Sequence, residues 1–320
     1  MGISHYIKEI GRGARGAKPL SREHACDLFG QVLDGQVTDL EMGAFCIAMR
    51  IKGETAEEMA GFLDATHARL ARFPATRQPL VVLPSYNGAR KLPVLTPLLG
   101  LLLAREGLPV LLHGSQTEAR RVTAPAVLAA MGIGPLSEVR TLADGELAHA
   151  STQLMCPGLK RLLDVRKVVG LRNPGHSVVK LMQPGLGENL VISSYTHPAY
   201  AESMAETFQL LAMNALLSRG LEGESVADPR RTAKVDGFVR GERIALQAQE
   251  SGTLSDVPGL PEGTDLDSTV DYTRRVLDGA LPVPPAIARQ VEQVLHLTAL
   301  LATAPHLHSH PAKASAAQAA

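Results

Sequence analysis

The chain changes its period at one place, and that place limits what it can fold into. Up to residue 72 apolar residues recur every third or fourth position, and beyond a Pro-bearing joint (Phe73, Pro74, Pro79) short apolar runs alternate with longer ones. The first pattern predicts a small all-helical unit. Ser21 can cap a helix that buries Ala25, Leu28 and Val32 and stops near Gly35. Thr38 with Glu41, and Thr55 with Glu58, are capping boxes for two further helices. The first of these carries Met42, Phe45, Cys46 and Met49 at helical spacing and ends at Gly53; the second carries Met59, Phe62, Leu63 and Thr66. Upstream, the glycine-rich basic run Gly11–Lys18 is either a surface loop after a short first helix or a phosphate-contacting arm, and it lacks the Gly-Lys-Ser/Thr ending of a Walker loop.

Beyond the joint, Leu80–Leu83 is a strand running into the loop Pro84–Gly88, and Thr96–Glu106 is a helix. Pro109–Gly114 is a second strand and loop, and Ala124–Met131 a second helix. Strand, helix, strand, helix predicts a parallel sheet flanked by helices. Ligands of such sheets sit at the carboxyl ends of the strands, here the loops Ser85–Lys91 and His113–Arg121. Leu190–Ser194 is a further strand, Ala199–Met213 a helix and Ala215–Leu217 a short strand. Residues 228–243 read as a basic segment and 254–271 as an acidic loop, with a last helix inside Leu277–Ala302. The tail 304–320 reads as disordered, with His306, His308 and His310 able to take metal only nonspecifically.

Gly158–Pro184 concentrates charge. It holds Lys160, Arg161, Arg166, Lys167, Arg172 and Lys180 against one acid, Asp164, in a chain whose 32 Lys and Arg balance 32 Asp and Glu. A local excess of this kind calls for an anionic partner. If Lys160/Arg161 and Arg166/Lys167 share a helix, the two pairs stand roughly 9 Å apart, of the order of the gap between neighbouring phosphates. Arg90 and Lys91 on the first ligand loop, and Arg120 and Arg121 on the second, would extend the track; a solvated helix face is the bland alternative for the paired basics. Tyr86 is placed either to stack on a base or to pack between domains. No nucleophilic triad and no metal cluster is legible, and His113, His176 and His197 are isolated. No run approaches 18 uncharged apolar residues, and the first 20 residues lack a signal-peptide core. Cys26, Cys46 and Cys156 lie far apart and read as buried thiols, so a cytoplasmic protein with no membrane partner is expected.

Two stretches carry a family likeness: LSREHACDLFGQVLDGQVTDLEMGAFCIAMRIKGETAEEMAGF and GLRNPGHSVVKLMQP. They resemble anthranilate phosphoribosyltransferase and the related pyrimidine nucleoside phosphorylases, the Lys52-Gly53-Glu54-Thr55 turn being a specific part of the match. The resemblance implies a small all-helical N-terminal domain (1–72, with 158–180 returning to it) and a large α/β domain with a mostly parallel central sheet (75–157 and 181–303). The chain departs from that family at three devices. Where the family has a GTGGD pyrophosphate loop, this sequence has Pro84-Ser85-Tyr86-Asn87-Gly88-Ala89-Arg90-Lys91. The KHGN loop survives as His113-Gly114, and the magnesium-holding Asp-Glu pair has only Glu222 and Glu224 as its nearest text. Ser85, Asn87, Gly88, His113 and Gly114 are therefore residual substrate-loop positions. The combination is similar to the YbiB-type, transferase-like DNA-binding family, which implies a homodimer through the helical domain, binding of DNA or RNA without marked sequence preference, no catalytic residues and no cofactor. The alternative is a glycosyltransferase family 3 enzyme using a phosphoribosyl donor and magnesium.

Overall fold

The structure is a computed structural model and describes residues 2–13, 15–116, 120–254 and 256–303. The expectations for Ala14 and for the tail 304–320 lie outside the described residues. A short helix α1 (Ser4–Ile10) is followed by α2 (Arg22–Asp34), α3 (Asp39–Lys52) and α4 (Ala56–His67). Ser21 accepts from the His24 amide and Gly35 closes α2 in a left-handed conformation. Both capping boxes form as the sequence predicts. Glu58 does more than cap. It is fully buried, and also accepts from the Leu20 amide at 2.9 Å and from Lys52 at 2.5 Å. Phe29, Phe45 and Phe62 meet at the centre of this helical layer, Phe29 stacked on Phe62 with ring centroids 4.6 Å apart.

The chain then lays down β1 (Leu80–Ser85), α5 (Thr96–Arg105), β2 (Val110–Gly114), α6 (Ala124–Ala130) and β3 (Leu147–Ser151). It leaves through α7 (Thr152–Met155), α8 (Pro157–Val169) and α9 (Gly175–Val178). It re-enters with β4 (Asn189–Ser194), α10 (Pro198–Leu210), β5 (Ala215–Ser218), β6 (Val235–Val239) and β7 (Glu242–Gln247), and ends with α11 (Leu266–Leu277) and α12 (Pro285–Thr303). The seven strands form one sheet in the order β3-β2-β1-β4-β5-β6-β7. The first five run parallel, with Val82 opposite Leu111 and Val81 opposite Leu190. The last two are antiparallel. Strands β1, β2 and β4 are buried along their whole length, as expected of a parallel sheet covered on both faces.

Three elements correct the sequence reading. Strand β3 (LAHAS) has no counterpart in it, because small residues and a histidine dilute its apolar signal. The basic segment 228–243 contains most of a hairpin: β6 and β7 turn through Arg240 and Gly241, both at positive φ. The acidic segment 254–271 enters α11, whose N-cap Asp265 accepts from the Ser268 amide at 2.9 Å. Residues 256–265 are loop as read, with Asp256 and Glu262 in it, whereas Asp265 caps the helix and Asp267 lies in its first turn.

Helix α8 lies on α2, and the crossing is close: a Cβ on Gly158 would stand 2.1 Å from the Leu33 carbonyl. The chain passes between the helical and α/β layers at three points stitched to one another. Ala71 donates to Met155, Phe73 to Pro184 and Leu186 to Phe73, each at 2.8 Å. The carboxyl ends of β1 and β4, α10, the end of α3 and the segment 172–181 therefore border one cleft.

Candidate functional site

The loop after β1 turns at Gly88, whose φ of 65° suits glycine; a Cβ there would stand 2.6 Å from the Val122 carbonyl. The turn aims consecutive backbone amides at one place, the arrangement that elsewhere binds anions. Here the anion belongs to the chain. The carboxylate of Glu224, 2% exposed, accepts from the amides of Asn87 (2.7 Å) and Gly88 (2.9 Å) on one oxygen. On the other it accepts from the hydroxyls of Ser85 (2.5 Å) and Thr96 (3.0 Å). Two residues earlier in the same turn, Glu222 accepts from the amides of Arg90 (2.7 Å) and Lys91 (3.0 and 3.2 Å). Asn87 Nδ2 donates to the Gly223 carbonyl at 2.7 Å and Ser225 Oγ to that of Pro84 at 2.7 Å. Glu222 has a left-handed backbone, φ 52° and ψ 23°, which costs a non-glycine residue on the order of 1 kcal/mol. Glu222 and Glu224, the nearest text to the family's acid pair, thus stand on the loop itself. Tyr86 and Asn87 do not abolish the amide cradle either: the Tyr86 hydroxyl turns to His113 and Thr152, and the Asn87 side chain braces the turn that carries Glu224.

The cations arrive from both layers. Arg172 is half-buried and donates to Asn87 Oδ1. Burial, and then Arg166, Arg121, Arg90 and Arg50 around it, push its pKa down to about 10. Lys180 donates to the carbonyls of Ser194 (3.0 Å) and Gly223 (3.3 Å). Desolvation and then Arg172 push its pKa down to about 8, against the pull of Glu224. Arg121 donates to the Asn87 carbonyl at 3.0 Å. The structure thus brings Arg90, Lys91, Arg121, Arg172 and Lys180 together at the loop and its partner turn, and sets Arg166 and Arg50, the latter from the end of α3 and missed by sequence reasoning, beside Arg172. Arg120 is exposed beside them.

Other expected contacts go elsewhere. Lys160 and Lys167 share Asp164, Lys167 at 2.9 Å, and Arg161 donates to the Leu33 carbonyl at 2.8 Å. These three bind α8 to itself and to α2 rather than forming a phosphate track. Tyr86 is 6% exposed, with its hydroxyl 2.9 Å from both His113 Nδ1 and Thr152 Oγ1, so it cannot stack on a base. His113 is fully buried; desolvation takes its pKa down to about 3, and it stays neutral. Gly114 is a packing glycine, since a Cβ there would stand 2.2 Å from the Ser85 carbonyl.

Beside the loop, between α3, the segment 172–181 and α10, lies a cavity of about 510 Å³. Met49, Met59 and Met204 give it an apolar wall, and Arg50, Arg172 and Lys180 a basic one. His176, 7% exposed, lines it with Nε2 lacking a hydrogen-bond partner and stays neutral, burial taking its pKa down to about 3. Glu54 stands on the same lining, its carboxyl pushed up by desolvation. Magnesium, implied by the alternative reading, does not fit the acid pair as arranged. Both oxygens of Glu224 accept from two donors each, and Glu222 is held by two amides, whereas magnesium requires free, octahedrally placed oxygens.

Residues 4–69 match the glycosyl transferase family, helical bundle domain. The whole fold is similar to the crystal structure of anthranilate phosphoribosyltransferase from Thermus thermophilus, with a TM-score of 0.69 at 20% identity, covering 92% of this chain and 88% of that one. The anthranilate phosphoribosyltransferase of Methylobacterium nodulans is 26% identical over 288 residues, 86% of this chain and 82% of that protein. Bundle, sheet and cleft together define a protein with the anthranilate phosphoribosyltransferase-like fold. Within that class, the uncharacterised protein YbiB of Escherichia coli (strain K12) is 37% identical over 305 residues, 93% of this chain and 94% of YbiB. The chain belongs to the family of YbiB.

Proposed function

We propose that the chain binds the phosphodiester backbone of a nucleic acid along this cleft and does not transfer a phosphoribosyl group. The observation that carries the reading is the carboxylate of Glu224 in the amide cradle of Asn87 and Gly88. A pyrophosphate would have to remove a buried anion that already satisfies four donors. The cations around that plug remain in excess. Arg121 faces Glu222 and Lys180 faces Glu224, while Arg50, Arg90, Arg121 and Arg166 gather round Arg172, and Glu54 shares the cavity lining with Arg50, Arg172 and Lys180. A polyanion can bind such a surface through side chains without entering the cradle. The test is a salt-titrated anisotropy assay with single- and double-stranded DNA and RNA. Affinity should fall steeply with salt, with a slope of about −0.9 per phosphate contact on duplex DNA. Charge reversal at Arg50, Arg90 and Arg166 together should flatten the slope, while neutralising Lys160, Arg161 and Lys167 should leave it nearly unchanged. A salt-independent affinity sinks the proposal.

A second reading, a transferase using a phosphoribosyl donor, is favoured by the names of the relatives. Several anthranilate phosphoribosyltransferases match over more than four fifths of this chain at 26–28% identity. Under it, phosphoribosyl pyrophosphate with magnesium raises Tm at millimolar concentration, and Glu224 has to leave the loop. No shift at that concentration removes its support.

A further inference from the structure

Most cations of the basic segment 228–243 are answered by acids. Arg230 donates to both oxygens of Asp228, at 3.0 and 2.9 Å. Lys234 and Arg243 meet on Asp236, and Arg240 stands 3.9 Å from Glu188. Arg231 is different: it is exposed and stands 3.8 Å from Asp228, which Arg230 already occupies. Arg289, early in α12, is also exposed and has no hydrogen-bond or ion-pair partner among the described residues. Arg230, Arg231 and Arg289 line one cavity of about 300 Å³. Three pieces of chain build it. Residues 229–232 lead into β6, and the loop after β7 returns beside them, Glu250 donating its amide to the Thr232 carbonyl at 3.1 Å and Leu254 to that of Arg230 at 2.8 Å. The start of α12 forms the third side. It is fixed by the buried Gln290, which accepts from the Ala227 amide and donates to the Ser225 carbonyl, each at 2.8 Å. Helix α12 packs on the face of the sheet opposite α10, and this cavity and the one beside the loop after β1 share none of their described lining residues.

We propose that this second cavity binds a small phosphomonoester that carries hydroxyl groups. The guanidinium groups of Arg231 and Arg289 take the phosphate, whose oxygens match their planar donor forks. Arg230 stays on Asp228 and adds to the positive field. The other end of the ligand meets Thr232, Ser251, Thr253 and the carboxylate of Glu250, all on the same lining. A carboxylate accepts from hydroxyls and repels a second anionic group, so Glu250 selects an ester with a neutral, hydroxylated body over a bare phosphate or a polyanion. The volume stands at the lower end of the roughly 300–1,000 Å³ of small-molecule pockets, which suits a ligand of a few carbons to a single sugar ring. The site is independent of the cleft and of what the cleft binds.

The experiment titrates the full chain in a calorimeter with glucose 6-phosphate, glycerol 3-phosphate and inorganic phosphate. One of the two esters should bind about threefold or more tighter than inorganic phosphate. Replacing both exposed arginines, Arg231→Ser with Arg289→Ser, should weaken that binding by about tenfold or more, with Tm and oligonucleotide affinity unchanged. Charge reversal at Arg50, Arg90 and Arg166 should leave ester binding as it is. Glu250→Gln should tighten inorganic phosphate and remove the preference for the ester. No binding of any probe at millimolar concentration overturns the proposal. So does ester binding that survives the loss of Arg231 and Arg289, or that disappears with the cleft reversal, since the phosphate then sits in the cleft. A fall in oligonucleotide affinity in the Arg231, Arg289 variant gives these cations to a polyanion instead and also overturns it. Equal affinity for all three probes, in the wild type and in Glu250→Gln alike, overturns the assignment to a hydroxylated ester.

Discussion

Glu224 and Lys180 show how much of this site depends on single ionisable groups. Replacing Glu224 by alanine orphans two buried amides and two hydroxyls, and should cost about 3–5 kcal/mol in urea denaturation. Glutamine should cost less, about 2–3 kcal/mol, because one of its termini must point a donor at donors. Lys180 gives a pH signature. Its folded pKa of about 8 lies below the unfolded value, so the unfolded chain holds the proton more tightly. Its contribution penalises folding below pH 8, and that penalty is relieved as pH rises from about 8 towards about 10.4. Anion binding should move the opposite way: affinity for an oligonucleotide drops as pH passes about 8, and in Lys180→Met that drop disappears from a titration between pH 6.5 and 9.5. The charges in Gly158–Pro184 are legible as types, whereas their destinations are not. One destination can be found from sequence: Asp164 stands four residues after Lys160 and three before Lys167, the spacing of helical ion pairs. The partner of the loop, Glu224, is hidden by distance, since it lies 136 and 137 residues from the amides it accepts.

Among the elements, those read correctly are those whose signals are local. Helices α2, α3 and α4 announce themselves by caps that their own first turns complete. Thr38→Ala should therefore cost only about 1 kcal/mol, the usual value of an N-cap. Glu58→Ala should cost about 3 kcal/mol or more, because it strands the nearly buried Lys52 ammonium and the Leu20 amide as well as the cap; parallel thermal and denaturant unfolding separates the two. Strand β3 and the β6–β7 hairpin owe their places to neighbours in the sheet, which no window of sequence contains.

For the whole molecule, the position of α8 decides where the basic groups point. Gly158 lets α8 press against the end of α2. A Cβ there collides with the Leu33 carbonyl, so Gly158→Ala should lose about 1–3 kcal/mol of stability. It should also weaken polyanion binding by displacing Arg166, although it changes no charge. An unchanged affinity in a destabilised variant would separate the helix from the site.

The three stitched crossings carry a consequence for how the chain can be cut. A protease that opens any one of them leaves the layers joined by the other two and by the hydrogen bonds from Ala71, Phe73 and Leu186. A singly nicked protein should therefore run as one particle in native electrophoresis and come apart only in denaturant. Neither layer can be released as an independent module by removing a single length of chain.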